Sequence, residues 1–477
     1  MTPLTLSEIT AIVSGRAHDI PDPQAEVTGP VVIDSRQAAP GALFAAFAGE
    51  NVDGHDFAER AVAAGAVAVL ATRPLGVPAI VVDDVTRALG ALARHTVAVL
   101  GTAVVALTGS SGKTSTKDLV AQLLEDLAPT VWTPGSLNNE IGLPLTALRA
   151  DAATRHLVLE MGARGIGHIR YLTELTPPRI GLVLNVGTAH IGEFGGREQI
   201  AQAKGELVES LPAAADGGVA VLNGDDPLVR AMAARTRARV VLFGECADAD
   251  VRAEDVRLGA LGRPSFTLHT PSGCSDVTLR LYGEHHVSNA LAAAAVAHEL
   301  GMPADAIAQA LNNARTLSKW RMDVTERADG VTVVNDAYNA NPDSMRAALR
   351  ALAAMAGGGA DGEPRRTWAV LGAMAELGES ALAEHDAVGR LAVRLNVSRL
   401  VAVGGREAAW LDMGAKNEGS WGEESVHVSD ARAAIDLLRS ELRPGDVVLV
   451  KASRSVGLEQ VAQALLTGGT EGEGAAS

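Results

Sequence analysis

A short loop between an apolar run and a helical pattern constrains the fold of this chain more than any other feature. The apolar run at residues 103–107 predicts a buried strand, and the spacing after it predicts a helix from Lys113 to about Leu127. Between them stands Thr-Gly-Ser-Ser-Gly at residues 108–112. Further strand-like runs alternate with helical stretches, at residues 157–159, 181–184 and 219–222. This alternation predicts a mostly parallel sheet with helices on both faces.

The loop also has the composition of a phosphate-binding site. Its backbone N–H groups and the helix N-terminus would surround phosphate oxygens, Lys113 would reach the terminal phosphates, and the Thr114 hydroxyl would bind magnesium. Leu107 stands where the full phosphate-loop motif has its first glycine, so the loop is a shorter variant. The alternative is an ordinary turn between a strand and a helix, but Gly-Lys-Thr in this position favours phosphate binding.

The length of 477 residues predicts about three domains. We expect an N-terminal α/β domain at residues 1–101, a central domain with a phosphate-loop-type, mostly parallel sheet at 102–318, and a C-terminal Rossmann-like α/β domain at 319–466. The C-terminal domain is predicted from strand-like runs at residues 331–334, 368–371, 400–403 and 447–450. Alternation and turn signals predict antiparallel strands at 250–282, and residues 467–477 predict a disordered tail.

Composition and charge exclude several classes of protein. With 47% hydrophobic and 21% charged residues the chain is not intrinsically disordered, and its net charge of −16 argues against a broad basic surface for nucleic acid or anionic membranes. Two cysteines are too few for a disulfide framework, and the longest apolar stretch, at residues 96–107, is shorter than the ~18 residues of a membrane helix. Since the first eight residues lack a secretory leader pattern, we expect a cytoplasmic protein without membrane insertion.

Lys204 lies on the apolar face of a predicted helix, four residues after Ile200 and four before Val208. Lysine is rarely buried without a partner, and this chain contains only six lysines. Burial would lower the pKa of Lys204 and enrich its neutral amine, which can react with carbon dioxide to form a carbamate, an anionic oxygen ligand suited to magnesium. The alternatives are a lysine that extends to the surface or one that pairs with Glu206 or Glu209.

Polar residues follow other predicted strands, at the carboxyl ends where α/β sheets bind ligands. In the central domain Glu160 and His190 could face the phosphate loop, and with Lys113, Thr114 and Lys204 they predict a site for a magnesium nucleotide. In the C-terminal domain Asn341 and Pro342 are explained as the N-cap and first residue of a helix. A helix cap does not explain the polar residues near them or those after the last strand. These residues predict a second half-site: Asp336, Tyr338, Asn339, Lys451, Ser453 and Arg454. Taken singly, such residues are explained as caps or surface hydrogen bonds.

Together these motifs resemble those of the Mur ligase family, the ATP-dependent enzymes that form amide bonds in peptidoglycan synthesis. The resemblance runs from about residue 31 to 460. Its N-terminal part resembles a uridine-nucleotide-binding domain and is carried by residues 34–36, 40–44, 49–50 and 53–57. Its central part is carried by the phosphate loop, the His190 segment and residues 138–142, 160–162, 204–206, 223–227 and 283–290.

In the C-terminal domain the motifs resemble the members of the family that add a dipeptide. These motifs are Asp-Ala-Tyr-Asn-Ala-Asn-Pro-Asp-Ser-Met at residues 336–345 and Glu-Leu-Gly at 376–378, and the sequence lacks the Asp-Asn-Pro-Arg motif expected in diaminopimelate-adding members. Two positions depart from the pattern, Ala373 where a carboxylate is expected and His286 where asparagine is expected. The resemblance implies that D-alanyl-D-alanine is joined to UDP-N-acetylmuramoyl-tripeptide, with ATP consumed through an acyl phosphate.

The resemblance also implies roles for individual residues. ATP would be bound by Thr108, Gly109, Ser110, Ser111, Gly112, Lys113, Thr114, Ser115, Asn289, Arg321 and Asp336. Two magnesium ions would be held by Thr114, Glu160, His190 and carbamoylated Lys204, and the catalytic residues would be Lys113, Glu160, His190 and Lys204. The UDP-substrate would be bound by Ser35, Arg36, Asn138 and Asn139. Domain closure and dipeptide recognition would involve Tyr338, Asn339, Ser453 and Arg454.

Three other functions fit parts of this pattern. One is a tripeptide-forming Mur ligase, against which the C-terminal motif argues, and another is a folylpolyglutamate synthetase, against which the N-terminal residues 34–36 argue. The third is a nucleotide-dependent switch or a non-catalytic scaffold. The lack of an Asn-Lys-x-Asp guanine motif and the presence of Glu160 and Lys204 favour catalysis. We expect a monomer, and the sequence leaves open whether the third residue of the accepted peptide is diaminopimelate or lysine.

Overall fold

The structure, a computed structural model, describes residues 2–49, 52–188, 191–358, 364–419 and 423–467. His190 and all but the first residue of the predicted tail at 467–477 lie outside these ranges. The chain forms three α/β domains on mostly parallel sheets, which confirms the predicted fold class. In the described ranges, no helix combines the length and the apolar character that a membrane crossing requires.

The N-terminal domain is a small sheet flanked by helices. Its elements are β1 Leu4–Thr5, α1 Leu6–Ile12, β2 Arg16–His18, β3 Glu26–Val27, β4 Val31–Val32, β5 Leu43–Ala45, α2 Ala58–Ala63, β6 Ala68–Ala71, β7 Ala79–Val81 and α3 Val85–Leu100. Five strands pair in the order β2-β7-β6-β5-β4, and β1 pairs separately with β3. Helix α3 begins at the N-cap Asp84, whose carboxylate accepts the N–H of Thr86, and ends at Gly101, which has a φ of 60°.

The central domain carries a nine-stranded sheet. Its elements are β8 Ala103–Thr108, α4 Lys113–Leu127, β9 Thr130–Trp132, α5 Gly142–Ala147, β10 His156–Glu160, α6 His168–Leu175, β11 Ile180–Val183, α7 Ile191–Phe194, α8 Arg197–Glu209, β12 Val219–Asn223, α9 Pro227–Arg230, β13 Arg239–Gly244, β14 Val251–Leu258, β15 Pro264–Thr270, β16 Gly273–Thr278, α10 His285–Glu299 and α11 Ala304–Asn313. The strand order is β16-β15-β14-β13-β12-β11-β8-β10-β9. Pairing is parallel from β9 to β14 and antiparallel from β14 to β16, as the alternation at 250–282 predicts.

The C-terminal domain is built on a six-stranded sheet. Its elements are β17 Asp323–Glu326, β18 Thr332–Asn335, α12 Pro342–Met355, β19 Thr367–Leu371, α13 Ala381–Arg394, β20 Arg399–Val403, α14 Arg406–Glu418, β21 Ser425–Val428, α15 Ala431–Glu441, β22 Val447–Lys451 and α16 Glu459–Thr467. The order is β17-β18-β22-β19-β20-β21, and only the pairing of β17 with β18 is antiparallel. Asn341 caps α12 and Pro342 is its first residue, as predicted.

One hydrophobic core joins the N-terminal and central domains. It includes Leu89 and Leu92 of α3 together with Leu143 of α5 and Leu172 of α6, all fully buried. The C-terminal sheet has two separate cores, one on each face, and Tyr282 of the central domain packs against the first of them. The N-terminal and central domains are therefore fused by shared apolar burial, whereas the C-terminal domain has its own interior.

Candidate active site

A cleft of about 840 Å³ opens at the carboxyl ends of the central and C-terminal strands. It brings together eighteen residues that the sequence predicts as functional: Ser110, Ser111, Gly112, Lys113, Thr114, Ser115, Asn138, Asn139, Glu160, Lys204, Asn289, Arg321, Asp336, Tyr338, Asn339, Lys451, Ser453 and Arg454. Four other predicted residues, Thr108, Gly109, Ser35 and Arg36, do not line it. The cleft is thus built from the phosphate loop and from both half-sites that the sequence places after parallel strands.

Thr108 lies behind the wall of the cleft. It is the last residue of β8 and is fully buried, and its Oγ1 has no hydrogen-bond partner among the described residues. Its side chain therefore does not face the cleft, and the part of Thr108 in ATP binding stays a prediction. Gly109 stands against Leu184 and contributes its carbonyl oxygen, which accepts a hydrogen bond from Lys113 Nζ at 2.8 Å.

Ser35 and Arg36 lie in the N-terminal domain, apart from the other predicted UDP-substrate residues. Ser35 is buried, and Arg36 is exposed and forms an ion pair with Asp34 at 2.7 Å. Hydrogen bonds from the Arg36 side chain and backbone lower the pKa of Asp34 to about 2. The predicted set is therefore divided, with Asn138 and Asn139 in the cleft and Ser35 and Arg36 outside it.

Asn185 shapes the phosphate loop, although the sequence analysis assigned it no role. Its Oδ1 accepts hydrogen bonds from the backbone N–H groups of Ser110 and Ser111, each at 3.0 Å, and its Nδ2 donates to the carbonyl of Ser111 at 3.2 Å. Gly112 has a φ of 77°, and a Cβ atom at this position would lie 2.7 Å from Asn289 Oδ1. The tight loop therefore requires glycine. The position of Asn185, directly after the run at 181–184, is the signal that could have identified it.

Thr114 and Glu160 converge on one point of the cleft. The Thr114 hydroxyl donates to Glu160 Oε2 at 2.9 Å, and Asn138 Nδ2 donates to Glu160 Oε1 at 2.6 Å. Glu160 is the last residue of β10, not the residue after it, and its side chain is buried. A hydroxyl and a carboxylate beside a phosphate loop are oxygen ligands of the kind that Mg²⁺ prefers.

The protein alone offers few metal ligands here. No group of three or more His, Cys, Asp or Glu side chains in the described ranges could hold a metal ion. Magnesium commonly takes only one or two protein carboxylates and completes its shell with phosphate oxygens and water. The Thr114 and Glu160 pair therefore fits an ion that arrives with a nucleotide.

Lys204 faces the cleft from α8 and is 4% exposed. Ile200 and Val208 on the same helix are fully buried, which confirms the apolar face. Neither predicted glutamate partner is free, because Glu206 accepts the backbone N–H groups at the start of α6 and Glu209 pairs with Arg235 at 2.8 Å. Within the described part of the chain, no residue forms a hydrogen bond or ion pair with Lys204 Nζ.

Burial lowers the pKa of two lysines on the central-domain side of the cleft, Lys113 and Lys204. It lowers the pKa of Lys204 well below the usual lysine value, and the charge of Lys113 acts in the same direction. Burial also lowers the pKa of Lys113, whereas the carboxylate of Glu160 raises it. Two amines that repel each other across one cavity favour an anion between or upon them.

Arg321 enters the cleft from the segment that connects α11 to β17. Its guanidinium donates to Thr114 Oγ1 at 3.1 Å and to Ser136 Oγ at 3.0 Å, and it lies 4.1 Å from the centre of the Tyr338 ring. Its Nε is buried and has no hydrogen-bond partner among the described residues. Ser136 is a second cleft residue that the sequence analysis missed, since it lies in a loop whose course depends on tertiary contacts.

The C-terminal half-site is held by a buried ion pair. Lys451 Nζ lies 2.6 Å from Asp336 Oδ2 and donates to the carbonyl of Asn339 at 2.8 Å. Burial lowers the pKa of Lys451, and Asp336 opposes that shift. Asp336 Oδ1 also accepts the backbone N–H of Met322 at 3.0 Å. Asp336 therefore positions the segment around Arg321 as well as lining the cleft.

Ser453 and Arg454 complete this wall. Ser453 Oγ accepts the N–H of Ala375 at 2.8 Å, and its own N–H donates to the carbonyl of Ala373 at 2.9 Å. The segment around Ala373 is thus held through its backbone, without the carboxylate that the family pattern leads one to expect. The Arg454 guanidinium lies 4.3 Å from the centre of the Trp320 ring.

His286, the other departure from the family pattern, is buried beside the cleft. Burial and the neighbouring His285 lower the pKa of His286 well below the usual histidine value. Its Nδ1 lies 3.5 Å from Asn289 Nδ2, while Asn289 Oδ1 accepts the Thr116 hydroxyl at 3.1 Å. The neutral ring is therefore accommodated as part of the packing around Asn289.

The central and C-terminal domains touch beside the phosphate loop. Asp343, in the first turn of α12, accepts the backbone N–H of Thr188 at 3.0 Å. Gly187 N–H donates to Ser110 Oγ at 2.9 Å. A Cβ atom at Gly187 would lie only 2.1 Å from Asp343 Oδ2, so the carboxylate occupies space that is free because residue 187 is glycine.

This architecture, with a shortened phosphate loop and a carboxylate facing a second domain across a cleft, defines a nucleotide-dependent enzyme of three domains. Three domain profiles match the chain in order: Mur ligase family, catalytic domain, at residues 30–97; Mur ligase middle domain at 107–297; and Mur ligase, glutamate ligase domain, at 320–454. The chain therefore belongs to the Mur ligase family and is an ATP-dependent ligase.

Particular members of the family resemble the whole chain. The UDP-N-acetylmuramoyl-tripeptide–D-alanyl-D-alanine ligase of Mycobacterium tuberculosis is 51% identical over 99% of both chains. The ligase of the same name from Escherichia coli is 37% identical over 98% of this chain and 100% of its own. The crystal structure of MurF from Acinetobacter baumannii has a TM-score of 0.86, with 33% identity over 98% of this chain and 99% of the other. MurF ligase from Thermotoga maritima in complex with ADP has a TM-score of 0.78, with 31% identity over 92% and 97% of the chains.

Proposed function

We propose that this protein joins D-alanyl-D-alanine to UDP-N-acetylmuramoyl-tripeptide in an ATP-dependent step of peptidoglycan precursor synthesis. One observation carries the proposal: Lys113, the Thr114 and Glu160 pair, and Lys204, which has no partner among the described residues, face one cleft between two α/β domains. The names of the full-length relatives supply the two substrates. The enzyme acts as a cytoplasmic monomer.

The proposed reaction has two steps. The terminal carboxylate of the tripeptide attacks the γ-phosphorus of ATP, which forms an acyl phosphate and releases ADP. The amine of D-alanyl-D-alanine then attacks the acyl carbon, so that the new amide bond forms, phosphate leaves and the amine loses a proton. Because both reactants of the first step are anions, Lys113 and Arg321 act by holding the phosphates and offsetting the repulsion.

Thr114 and Glu160 would hold one magnesium ion. A second ion would be held by His190 and by a carbamate on Lys204. When bound, the metal neutralises charge on the phosphate oxygens. The carbamate accounts for a buried amine that faces the cleft with no partner in the described ranges, since depression of the Lys204 pKa favours the neutral amine that reacts with carbon dioxide.

The substrates would occupy different walls of the cleft. Asn138 and Asn139, with Ser35 and Arg36 in the N-terminal domain, would bind the UDP-sugar and its peptide. Asn289, Asp336 and the loop residues 108–115 would surround ATP. Tyr338, Asn339, Ser453 and Arg454 would recognise the dipeptide and close the C-terminal domain over it. Closure would also keep water away from the acyl phosphate.

A product assay tests this function. Purified protein is incubated with ATP, magnesium and D-alanyl-D-alanine, and with UDP-N-acetylmuramoyl-tripeptide containing either diaminopimelate or lysine. We expect a UDP-pentapeptide, together with ADP release that depends on both co-substrates. ATP hydrolysis that ignores the dipeptide would favour a nucleotide switch. Failure to form either pentapeptide would contradict the proposed substrates.

Gly187→Ala is expected to slow pentapeptide formation about 10- to 100-fold, because its Cβ would displace the Asp343 carboxylate and hold the domains apart. Steady-state kinetics should show the loss mainly in kcat. Adding Asp343→Ala should restore part of the rate, since it removes the atoms that collide. Gly165→Ala is the matched control, because a Cβ there meets nothing within 4 Å. A double variant slower than Gly187→Ala would contradict the role of this contact in closure.

A further inference from the structure

A buried polar cluster of Lys117, Asp118 and Ser318 joins α4 to the linker before the C-terminal domain. Lys117 and Asp118 lie on α4, about one turn after Lys113, and Ser318 lies between α11 and β17. Lys117 is 1% exposed, Asp118 is 3% exposed and Ser318 is 8% exposed. None of the three has a part in the reaction proposed above.

The charges of the cluster are fully engaged. Lys117 Nζ lies 2.5 Å from Asp118 Oδ1 and donates to the carbonyl of Thr133 at 2.8 Å and to Ser318 Oγ at 3.3 Å. Asp118 accepts the backbone N–H of Ser318 at 2.9 Å and its hydroxyl at 3.1 Å. A buried ion pair adds little net stability, because the desolvation of two charges cancels most of their attraction. Stability alone therefore does not account for the cluster.

The cluster connects the three segments that surround Arg321. These are the helix that follows the phosphate loop, the loop after β9 that carries Ser136, and the linker itself. Lys117 Nζ also donates to the carbonyl of Gly135, the residue before Ser136, at 3.3 Å. Ser318 precedes Arg321 by three residues. A displacement of any of these segments would move the guanidinium relative to the phosphate loop.

The backbone between the cluster and the cleft is held in an unfavourable conformation. Trp320 and Met322, on either side of Arg321, have φ angles of 60° and 51°. Left-handed conformations of such residues are strained and persist only when the surroundings fix them. Ser318 is fixed at the start of the segment, and Asp336 fixes its end through the N–H of Met322.

We propose that Lys117, Asp118 and Ser318 are positioning residues, which fix the interdomain linker so that Arg321 is presented to the phosphates of ATP. The proposal rests on the ligase function proposed above. On this proposal, the ion pair between Lys117 and Asp118 holds the linker in place through its hydrogen bonds to the hydroxyl and backbone N–H of Ser318.

Ser318→Ala is the most conservative test. It removes the hydroxyl that contacts both charges and keeps the backbone N–H that Asp118 accepts. We expect kcat/KM for ATP to fall about 10-fold, because small misplacements of a positioned group cost up to ~10²-fold in rate. The KM for UDP-tripeptide should stay within about twofold of the wild-type value, since neither Ser318 nor Arg321 is among its proposed binding residues.

Ser425→Ala is the matched control. Ser425 is also a buried serine that donates to a buried aspartate, Asp412, at 2.6 Å, but neither residue lines the cleft. It should lower the melting temperature about as much as Ser318→Ala does and leave kcat/KM for ATP unchanged. An equal kinetic loss in both variants would mean that destabilisation, not linker geometry, causes the effect, and would overturn the proposal.

A double-mutant cycle with Arg321→Ala tests the route of action through the dissociation constant of a non-hydrolysable ATP analogue. If Ser318 acts through Arg321, adding Ser318→Ala to Arg321→Ala should change that constant by less than about twofold. The same loss in both backgrounds, or a Ser318→Ala variant that matches the wild type, overturns the proposal. Wild-type protein that forms no pentapeptide would contradict the ligase function instead, and the binding cycle would still decide on the linker.

Discussion

Lys113→Ala is expected to reduce pentapeptide formation by at least ~10³-fold, the largest effect of any single substitution in this chain. The amine of Lys113 is held over the phosphate loop by the Gly109 carbonyl, where incoming phosphates would restore its charge despite the lowered pKa. Without it, the attack of a carboxylate on a triphosphate loses a cation placed at the reacting phosphate. Product formation in single-turnover and steady-state assays measures the loss.

Two controls separate this chemical effect from unfolding. Lys416→Ala removes an exposed lysine of α14 whose partner is Asp412, and it should leave the rate unchanged. The melting temperature of Lys113→Ala should stay close to that of the wild type, because the removed side chain makes only one hydrogen bond that the structure describes. A folded Lys113→Ala protein with near-normal turnover would refute the assignment of the phosphate loop.

Lys204→Ala is expected to lose about 10²- to 10³-fold in activity and to recover part of it in formate or acetate. A small carboxylate can enter the space left by the side chain and supply the oxygen ligands that a carbamate would provide. The pKa of Lys204 lies well below the usual value, so its amine is neutral, and open to carbon dioxide, at a pH where an exposed lysine is charged. A ¹³C carbamate resonance should be present in wild-type protein and absent from the variant.

The test of the Lys204 carbamate depends on whether formate and acetate rescue only the Lys204→Ala variant. Neither acid should activate the wild type or Lys113→Ala, because in both the position beside Lys204 is already filled. Full activity of Lys204→Ala without any additive would show that the carbamate has no role. Activation of Lys113→Ala by the same acids would mean that they act elsewhere.

Much of the fold follows from the sequence because parallel strands buried on both faces are continuous apolar runs. The runs at 103–107 and 447–450 fall within β8 and β22, and Asn341 and Pro342 mark the start of α12. Short elements such as β9 and β17 were not predicted, and some predicted strands differ from the observed ones at an end. Glu160 is the last residue of β10, although the sequence places it just after that strand.

The cleft was less predictable where its residues depend on long-range contacts. Lys204 could be predicted as a site residue because a charged side chain on the apolar face of a helix interrupts the local pattern of apolar residues. Asn185 and Ser136 break no such pattern. Their partners, the backbone of the phosphate loop for Asn185 and the Arg321 guanidinium for Ser136, reach them only in the folded protein. Thr108 lies behind the cleft with its side chain buried, which the motif alone does not reveal, because motif position does not show which way the last residue of a strand points.

The single core shared by the N-terminal and central domains has a consequence for the order of events in the cleft. Leu89 and Leu92 pack among residues of α5 and α6, so these two domains form a single packed unit. The spacing between the proposed UDP anchor and the phosphate loop is then set before any substrate arrives. The C-terminal domain has its own interior, so on the proposed reaction it would be the domain that moves. On the proposed reaction, the acyl donor and ATP are aligned by a rigid frame, and the moving part delivers the amine.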